Sequence, residues 1–245
     1  MIKTLLTACA TYAPSQTISN EELVASFNAY VQNFNEMHQQ EIIENKIEPL
    51  KESSEAFILK ASGIKNRYVI DKKNILDVNI MRPVLPDRSN ESISIQAEFA
   101  LPAAKLALER AQKKPEDVDF VLVACSNFQR PYPAIAIEIQ NILGCKGYAF
   151  DMNVACSSAT FALQTASNAI QTGNCKTALI LNPEITSAHL NFCDRDSHFI
   201  FGDACSAVVL EAAEGATAHT AFEVVSTKLY TQFSNNIRNN FGFLV

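Results

Sequence analysis

Cys156 stands in the tripeptide Ala155-Cys156-Ser157, inside the stretch "YAFDMNVACSSATFALQTASNAIQTG" that runs from Tyr148 to Gly173. An apolar strand pattern there gives way to helical spacing, and the helix read from "SSATFALQTASNAIQTG" starts at or just after the cysteine. The first N–H groups of a helix lack intrahelical partners and together carry about half a positive charge. Helix N-termini therefore favour a thiolate over a thiol. The neighbours Ala155, Ser157, Ser158 and Ala159 are small, which leaves room for a substrate. A free N–H at such a turn can also stabilise the oxyanion formed when sulfur attacks a carbonyl. The chemistry favoured is acyl transfer through a thioester. By position alone a packing role is the commoner one, since cysteine is among the most buried residue types.

The other six cysteines read as structural. Cys125 and Cys205 lie in apolar strand runs, Cys9 ends one, Cys145 and Cys175 follow Gly144 and Gly173 in turns, and Cys193 sits in a loop-like segment. Seven is an odd total, and no basic segment with a long apolar core opens the chain, so no disulfide framework is expected. His189, Cys193, His198 and Cys205 match no zinc spacing, and no metal site is expected.

The elements that must position Cys156 follow from periodicity. Lys3 to Cys9 reads as a buried strand. "SNEELVASFNAYVQNFN" reads as a helix capped by Ser19 or Asn20, with Leu23, Phe27, Tyr30 and Phe34 at helical spacing. Residues 35–52 are polar and helix-compatible, and 71–90, with Pro83 and Pro86, reads as an exposed excursion. Then the pattern becomes regular. "SISIQAEFALPAAKLALERA" is helical despite Pro102, "DFVLVACS" is a strand covered on both faces, and "AIAIEIQNILG" is a helix ended by Gly144. "YAFDMNVA" and "KTALILNP" read as strands flanking the Cys156 helix, and "HFIFGDACSAVVLEAA" and "TAFEVVSTKLYTQ" as two further strands, paired. This alternation predicts an α/β fold with a mostly parallel sheet. No glycine-rich nucleotide-binding loop is present.

Composition limits the function classes. The 245 residues suffice for a well-buried core, and 48% hydrophobic with 19% charged residues excludes wholesale disorder. A net charge of −6 and the lack of a basic run argue against a nucleic-acid partner. No apolar run reaches the ~20 residues of a membrane span, and a cytoplasmic location is expected.

"FDMNVACSSATFAL", followed by Arg195 in "DRDSHFIFGDACSAVVLE", resembles the β-ketoacyl-acyl-carrier-protein synthase III family of the thiolase superfamily. "SSEAFILKASGIKNRYV" and "PAIAIEIQNILG" extend the resemblance over most of the chain, with 35–52 and 71–90 standing as insertions. It implies a thiolase-like layered fold, residues 1–245 forming the N-terminal half of a duplicated αβαβα architecture. It implies a condensing enzyme that initiates synthesis of fatty or related acyl chains, with no permanently bound cofactor. Cys156 matches the nucleophile, which takes an acyl group from acyl-CoA for condensation with malonyl-acyl carrier protein. Tyr132 matches the aromatic position that reaches into the partner subunit's acyl pocket in a homodimer, and Phe201 a residue lining that pocket. Phe57 and Arg195 match the pair that sandwiches the CoA adenine, a role that suits a flat ring and a guanidinium plane.

The sequence departs from that pattern in three places. Phe57 stands where the family usually has Trp, and Ala61 where it often has Arg, which weakens the expected CoA contacts. The family's catalytic His and Asn lie in a second half, in segments like "PHQAN" and "NTS", and neither occurs here. The chain stops at "NNFGFLV" with no closing element, so it reads as a truncated form, expected to acylate weakly and not to condense. Two other readings stay open: a thiolase-like CoA-dependent acyltransferase without decarboxylation, and a non-catalytic subunit dimerising through the Tyr132 region.

Overall fold

The computed structural model describes residues 2–234. In chain order the elements are β1 (Thr4–Tyr12), β2 (Gln16–Ser19), α1 (Asn20–Met37), α2 (Gln39–Ile43), α3 (Glu55–Ser62), β3 (Asn66–Val69), α4 (Lys72–Leu76) and α5 (Ile95–Ala111). They continue with β4 (Phe120–Ala124), α6 (Ile135–Leu143), β5 (Tyr148–Met152), α7 (Ser158–Gln171), β6 (Thr177–Ile185), β7 (Asp203–Ala212) and β8 (Phe222–Glu223).

The main sheet has six strands in the order β5-β4-β6-β7-β1-β8. Its pairings set β1, β4, β5 and β6 running one way and β7 and β8 the other. The strand direction is thus mostly parallel, as expected. Alternation along the central strands explains the layers. Val121 and Val123 of β4, with Leu179 and Leu181 of β6, pack on α5 and α6. Phe120, Leu122, Ala178 and Ile180 point the other way, against Ala162, Ala166 and Ile170 of α7. Every residue of β4 is buried, because helices cover both faces. Helix α5 approaches the sheet closely through a stripe of alanines at 97, 100, 103, 104, 107 and 111, and it runs unbroken through Pro102.

A smaller lobe covers one end of this sandwich. The antiparallel β2–β3 pair is joined through α1, which begins with the expected capping box: Glu22 N–H donates to Ser19 Oγ (3.1 Å) and Ser19 N–H to Glu22 Oε2 (3.0 Å). Leu23, Phe27 and Val31 of α1 join Ile58, Val69, Ile75 and Met81 in a separate core. Each large apolar side chain so buried contributes about 1.5–3 kcal/mol.

Five expectations are corrected. The 71–90 segment is not a wholly exposed excursion, since Ile75 of α4 and Met81 are buried in the smaller core. Within 35–52, the helix past α1 is limited to Gln39–Ile43. The strand expected from His198 starts only at Asp203; 198–200 is turn and bend, entered by backbone bonds such as His198 N–H to Asp194 O (2.9 Å), and 201–202 is irregular. The last strand is reduced to Phe222–Glu223 and pairs with β1, not β7. Cys9, read as a packing residue, is exposed. The apolar stretch 239–245 lies outside the described residues.

Candidate active site

Cys156 lies in a single 3₁₀ turn, Ala155–Ser157, between the end of β5 and the first residue of α7. That turn is forced. Ala155 has φ +46°, a left-handed conformation that costs an alanine roughly 1–2 kcal/mol. Side chains on either side hold it: Asn153 Oδ1 accepts Ala155 N–H (2.9 Å), and Ser158 Oγ accepts Val154 N–H (2.9 Å) while donating to Ala155 O (2.7 Å). Asn153 is in turn anchored through Nδ2 to Ser126 O (2.8 Å) at the end of β4. The result is an exposed cysteine at the head of a 14-residue helix packed on the sheet.

A cavity of about 300 Å³ surrounds it, lined by Thr11, Ala159, Asn182, Glu184, Gly202 and Cys205, among others. Burial pushes the Cys205 thiol up to about 12, and burial with the Glu184 charge pushes Cys125 upward too, so both stay protonated. Cys145 and Cys175 are likewise raised, to about 11, chiefly by burial. Glu184 is held by Ser126, whose N–H (2.7 Å) and O–H (2.6 Å) both donate to it. Ser206 Oγ donates to Asn182 Oδ1 (3.0 Å), and Asn182 Nδ2 to Ala124 O (2.6 Å).

The "FGD" segment is explained by packing. A Cβ on Gly202 would come within 2.8 Å of Tyr68 O, so only glycine fits there. Asp203, 1% exposed, accepts from Ser187 N–H (2.8 Å), Ser187 Oγ (2.7 Å) and Ile70 N–H (2.8 Å), tying β7 to two neighbouring segments. Phe201 is 45% exposed and lines a separate cavity of about 240 Å³, which shares Gly202 and Ala204 with the Cys156 cavity. Tyr132, 81% exposed, lies on the loop between β4 and α6 and lines neither.

Phe57 and Arg195 do meet. The Arg195 guanidinium carbon sits 4.1 Å from the Phe57 ring centroid, and Nε donates to Glu52 O (2.7 Å). His198, expected on a strand near the pocket, is instead fully buried beneath this pair. Its Nδ1–H donates to Arg195 O (2.8 Å), its ring stacks on Phe27 at 4.5 Å, and burial foremost holds its pKa below the ordinary histidine value. With ring and guanidinium in contact, a base could enter only if they parted to two contact distances, roughly 7–8 Å.

Sequence reading missed Asn182, Glu184 and Ser158. The signal was available: "LNPE" puts polar groups at the C-terminal end of a buried strand, where α/β sheets place their sites. Strand β6 runs on through Pro183 to Ile185 rather than ending at the proline.

Fold and site together define a thiolase-like protein, with a cysteine at the head of its sheet-packed helix. The family model described as 3-oxoacyl-[acyl-carrier-protein (ACP)] synthase III matches residues 150–232. A β-ketodecanoyl-[acyl-carrier-protein] synthase of Pseudomonas aeruginosa is 58% identical over 219 residues, 89% of this chain and 63% of that protein. A β-ketoacyl-[acyl-carrier-protein] synthase III of Rhizobium meliloti is 34% identical, over 77% of this chain and 53% of its own length. Among solved structures, the 3-oxoacyl-[acyl-carrier-protein] synthase III of Aquifex aeolicus VF5 superposes with a TM-score of 0.63 at 26% identity, covering 86% of this chain and 54% of that one. The chain is similar to the 3-oxoacyl-[acyl-carrier-protein] synthase III family. It spans 63% and 53% of the length of those two curated relatives.

Proposed function

We propose that this chain is the nucleophile-bearing N-terminal half of a β-ketoacyl-acyl-carrier-protein synthase, with Cys156 as acyl carrier. The observation that carries the reading is the exposed cysteine on a strained turn at a helix head, within a cavity whose other cysteine is buried and protonated. In the first step the Cys156 sulfur attacks the thioester carbonyl of an acyl-CoA. An S–C bond forms, the CoA S–C bond breaks, and the CoA thiol leaves with the proton that Cys156 gives up. In the second, the C–CO₂ bond of malonyl-acyl carrier protein breaks. The resulting carbanion attacks the acyl carbonyl, carbon dioxide departs, and the Cys156 sulfur leaves as the restored nucleophile. The His and Asn that the family resemblance implies for this second step match no segment of the chain.

Phe57 and Arg195 act as a stacking pair for the CoA adenine and part on binding. The name of the Pseudomonas relative speaks of a ten-carbon product, which an eight-carbon primer plus a two-carbon unit would yield, and this supports a medium-chain acyl donor. A cytoplasmic homodimer completes the reading. Strand β5 is an uncovered sheet edge with Phe150 38% exposed, and the exposed Tyr132 does not line its own chain's Cys156 cavity. No helix among the described residues is long and apolar enough to cross a membrane.

The test is incubation of the full-length protein with acetyl- and octanoyl-CoA, followed by intact mass measurement and peptide mapping. An acyl adduct on the Cys156 peptide, absent from Cys156→Ala, is expected. Adducts elsewhere, or none, would sink the assignment.

A further inference from the structure

His198 is fully buried in apolar surroundings. Its ring stacks on Phe27 of α1 with centroids 4.5 Å apart and meets Phe199 edge to face at 5.4 Å, both partners belonging to the smaller core. A phenylalanine would fill such a place with no polar group to satisfy, whereas imidazole brings two ring nitrogens. One of them goes unsatisfied: Nε2 is buried and has no hydrogen-bond partner among the described residues. What the imidazole supplies in return is the other nitrogen. The Arg195 carbonyl can only accept, so Nδ1 carries the proton of that 2.8 Å bond. Burial foremost, aided by the charge of the buried Arg67, keeps the ring neutral and so limits it to this single N–H. The bond matters equally to its acceptor, since among the described residues Arg195 O accepts no other hydrogen bond.

We infer that His198 is a positioning residue for the nucleotide end of CoA, fixing the Arg195 backbone beneath the guanidinium and, through Phe199, the Phe57 ring opposite it. The inference rests on Phe57 and Arg195 being the adenine pair and adds the residue that holds the two in place. To admit a base, the Arg195 side chain must leave the Phe57 face, where its guanidinium carbon sits at 4.1 Å, and give up the 2.7 Å bond from Nε to Glu52 O. Only the backbone then fixes where the guanidinium goes. Arg195 lies on the turn that precedes β7, and His198 Nδ1–H pins its carbonyl. The other wall is braced from the same ring, because Phe199 stands edge-on to Phe57 at 5.6 Å as well as to His198. A clamp whose walls are held before the ligand arrives loses less conformational freedom on binding. Where the carbonyl bond is lost, CoA must order the turn itself, at a cost equal to roughly three- to ten-fold in a binding constant. The cavity around Cys156 includes none of Phe57, Arg195 and His198, so the effect falls on affinity and not on the chemical step.

The experiment follows acylation of Cys156 in the full-length protein by intact mass, at varied octanoyl-CoA and octanoyl-pantetheine, the second of which lacks the nucleotide. Three variants are compared with the parent. His198→Phe keeps the ring stack and removes the donor, His198→Asn keeps a donor near the Nδ1 position and loses the ring, and Phe57→Ala removes the stacking surface. For octanoyl-CoA, His198→Phe is expected to raise KM about three- to ten-fold with the maximal rate within about two-fold, and to leave kcat/KM for octanoyl-pantetheine unchanged. His198→Asn, although the less stable variant in urea unfolding, is expected to keep the octanoyl-CoA KM within about two-fold of the parent. KM values that follow unfolding stability, or equal changes for both donors, would reveal a general packing role and overturn the inference. An unchanged octanoyl-CoA KM in His198→Phe, with a raised one in Phe57→Ala, overturns it too while leaving the adenine pair standing. An unchanged KM in Phe57→Ala removes the pair and the inference together. If no donor labels Cys156, the same ranking is read from CoA affinity by calorimetry: weakened in His198→Phe and Phe57→Ala, parental in His198→Asn. Any other ranking refutes the role given to His198.

Discussion

Replacing Ser158 by Ala should damage both the fold and the cysteine turn, by an amount the hydrogen bonds allow to be worked out. Ser158 is 2% exposed, and its hydroxyl has two short contacts, donating to Ala155 O at 2.7 Å and accepting Val154 N–H at 2.9 Å. A longer contact to Cys125 O, at 3.3 Å, competes for the same proton. Ala155 O keeps a second partner, the backbone N–H of Ser158, so losing the hydroxyl proton there costs little. Val154 N–H keeps none among the described residues, and an orphaned, partly buried donor costs about 1–3 kcal/mol. That range equals or exceeds the strain of about 1–2 kcal/mol stored at Ala155, which the hydroxyl helps to hold. The expected outcome is a loss of about 1–3 kcal/mol in urea unfolding, together with altered alkylation of Cys156 by iodoacetamide. Ser157→Ala is the control, because Ser157 is exposed and its side chain makes no hydrogen bond among the described residues, so a change within about 0.5 kcal/mol is expected. Equal unfolding free energies for the two variants, with unchanged alkylation in Ser158→Ala, would refute the account of how the turn is held.

Three further outcomes are expected. Lys113→Met removes the 2.8 Å partner of Glu211, whose side chain is 1% exposed, and should destabilise by about 3–5 kcal/mol in denaturant titration. His198 has its folded pKa lowered by burial, so its contribution is present above its ordinary value of 6.5 and lost as pH falls through the lowered one. Unfolding curves between pH 7.5 and 5 should show that loss, at most about 1.4 kcal/mol per pH unit, and His198→Phe should flatten it. Phe57→Trp offers a larger ring to the Arg195 guanidinium and to an incoming adenine, and should tighten acyl-CoA binding by roughly two- to five-fold in calorimetry.

Much of this protein was legible in the order of its residues, because local periodicity and caps act over short range. The capping box at Ser19 and Glu22, the all-buried "FVLVA" strand and the helix ended by Gly144 depend on neighbours a few residues away. So does the strand-to-helix change that singles out Cys156. The pairing of Phe57 with Arg195 was implied by family resemblance alone, and the structure brings the two into contact at 4.1 Å. What local pattern does not carry is the meeting of distant segments. Apolar spacing cannot say that β8 lies against β1, that His198 is buried on Phe27 with its Nδ1–H on Arg195 O, or that Ile75 and Met81 seal a second core. Nor can it place Glu184 beside Ser126, 58 residues earlier, at the wall between two cavities. Burial and polar pairing across the chain are properties of the packed whole. The sequence by itself determined a cysteine at the head of a helix in an α/β sheet. The tertiary structure decided what surrounds that cysteine, because only packing brings β1, β4, β6 and β7 together around it.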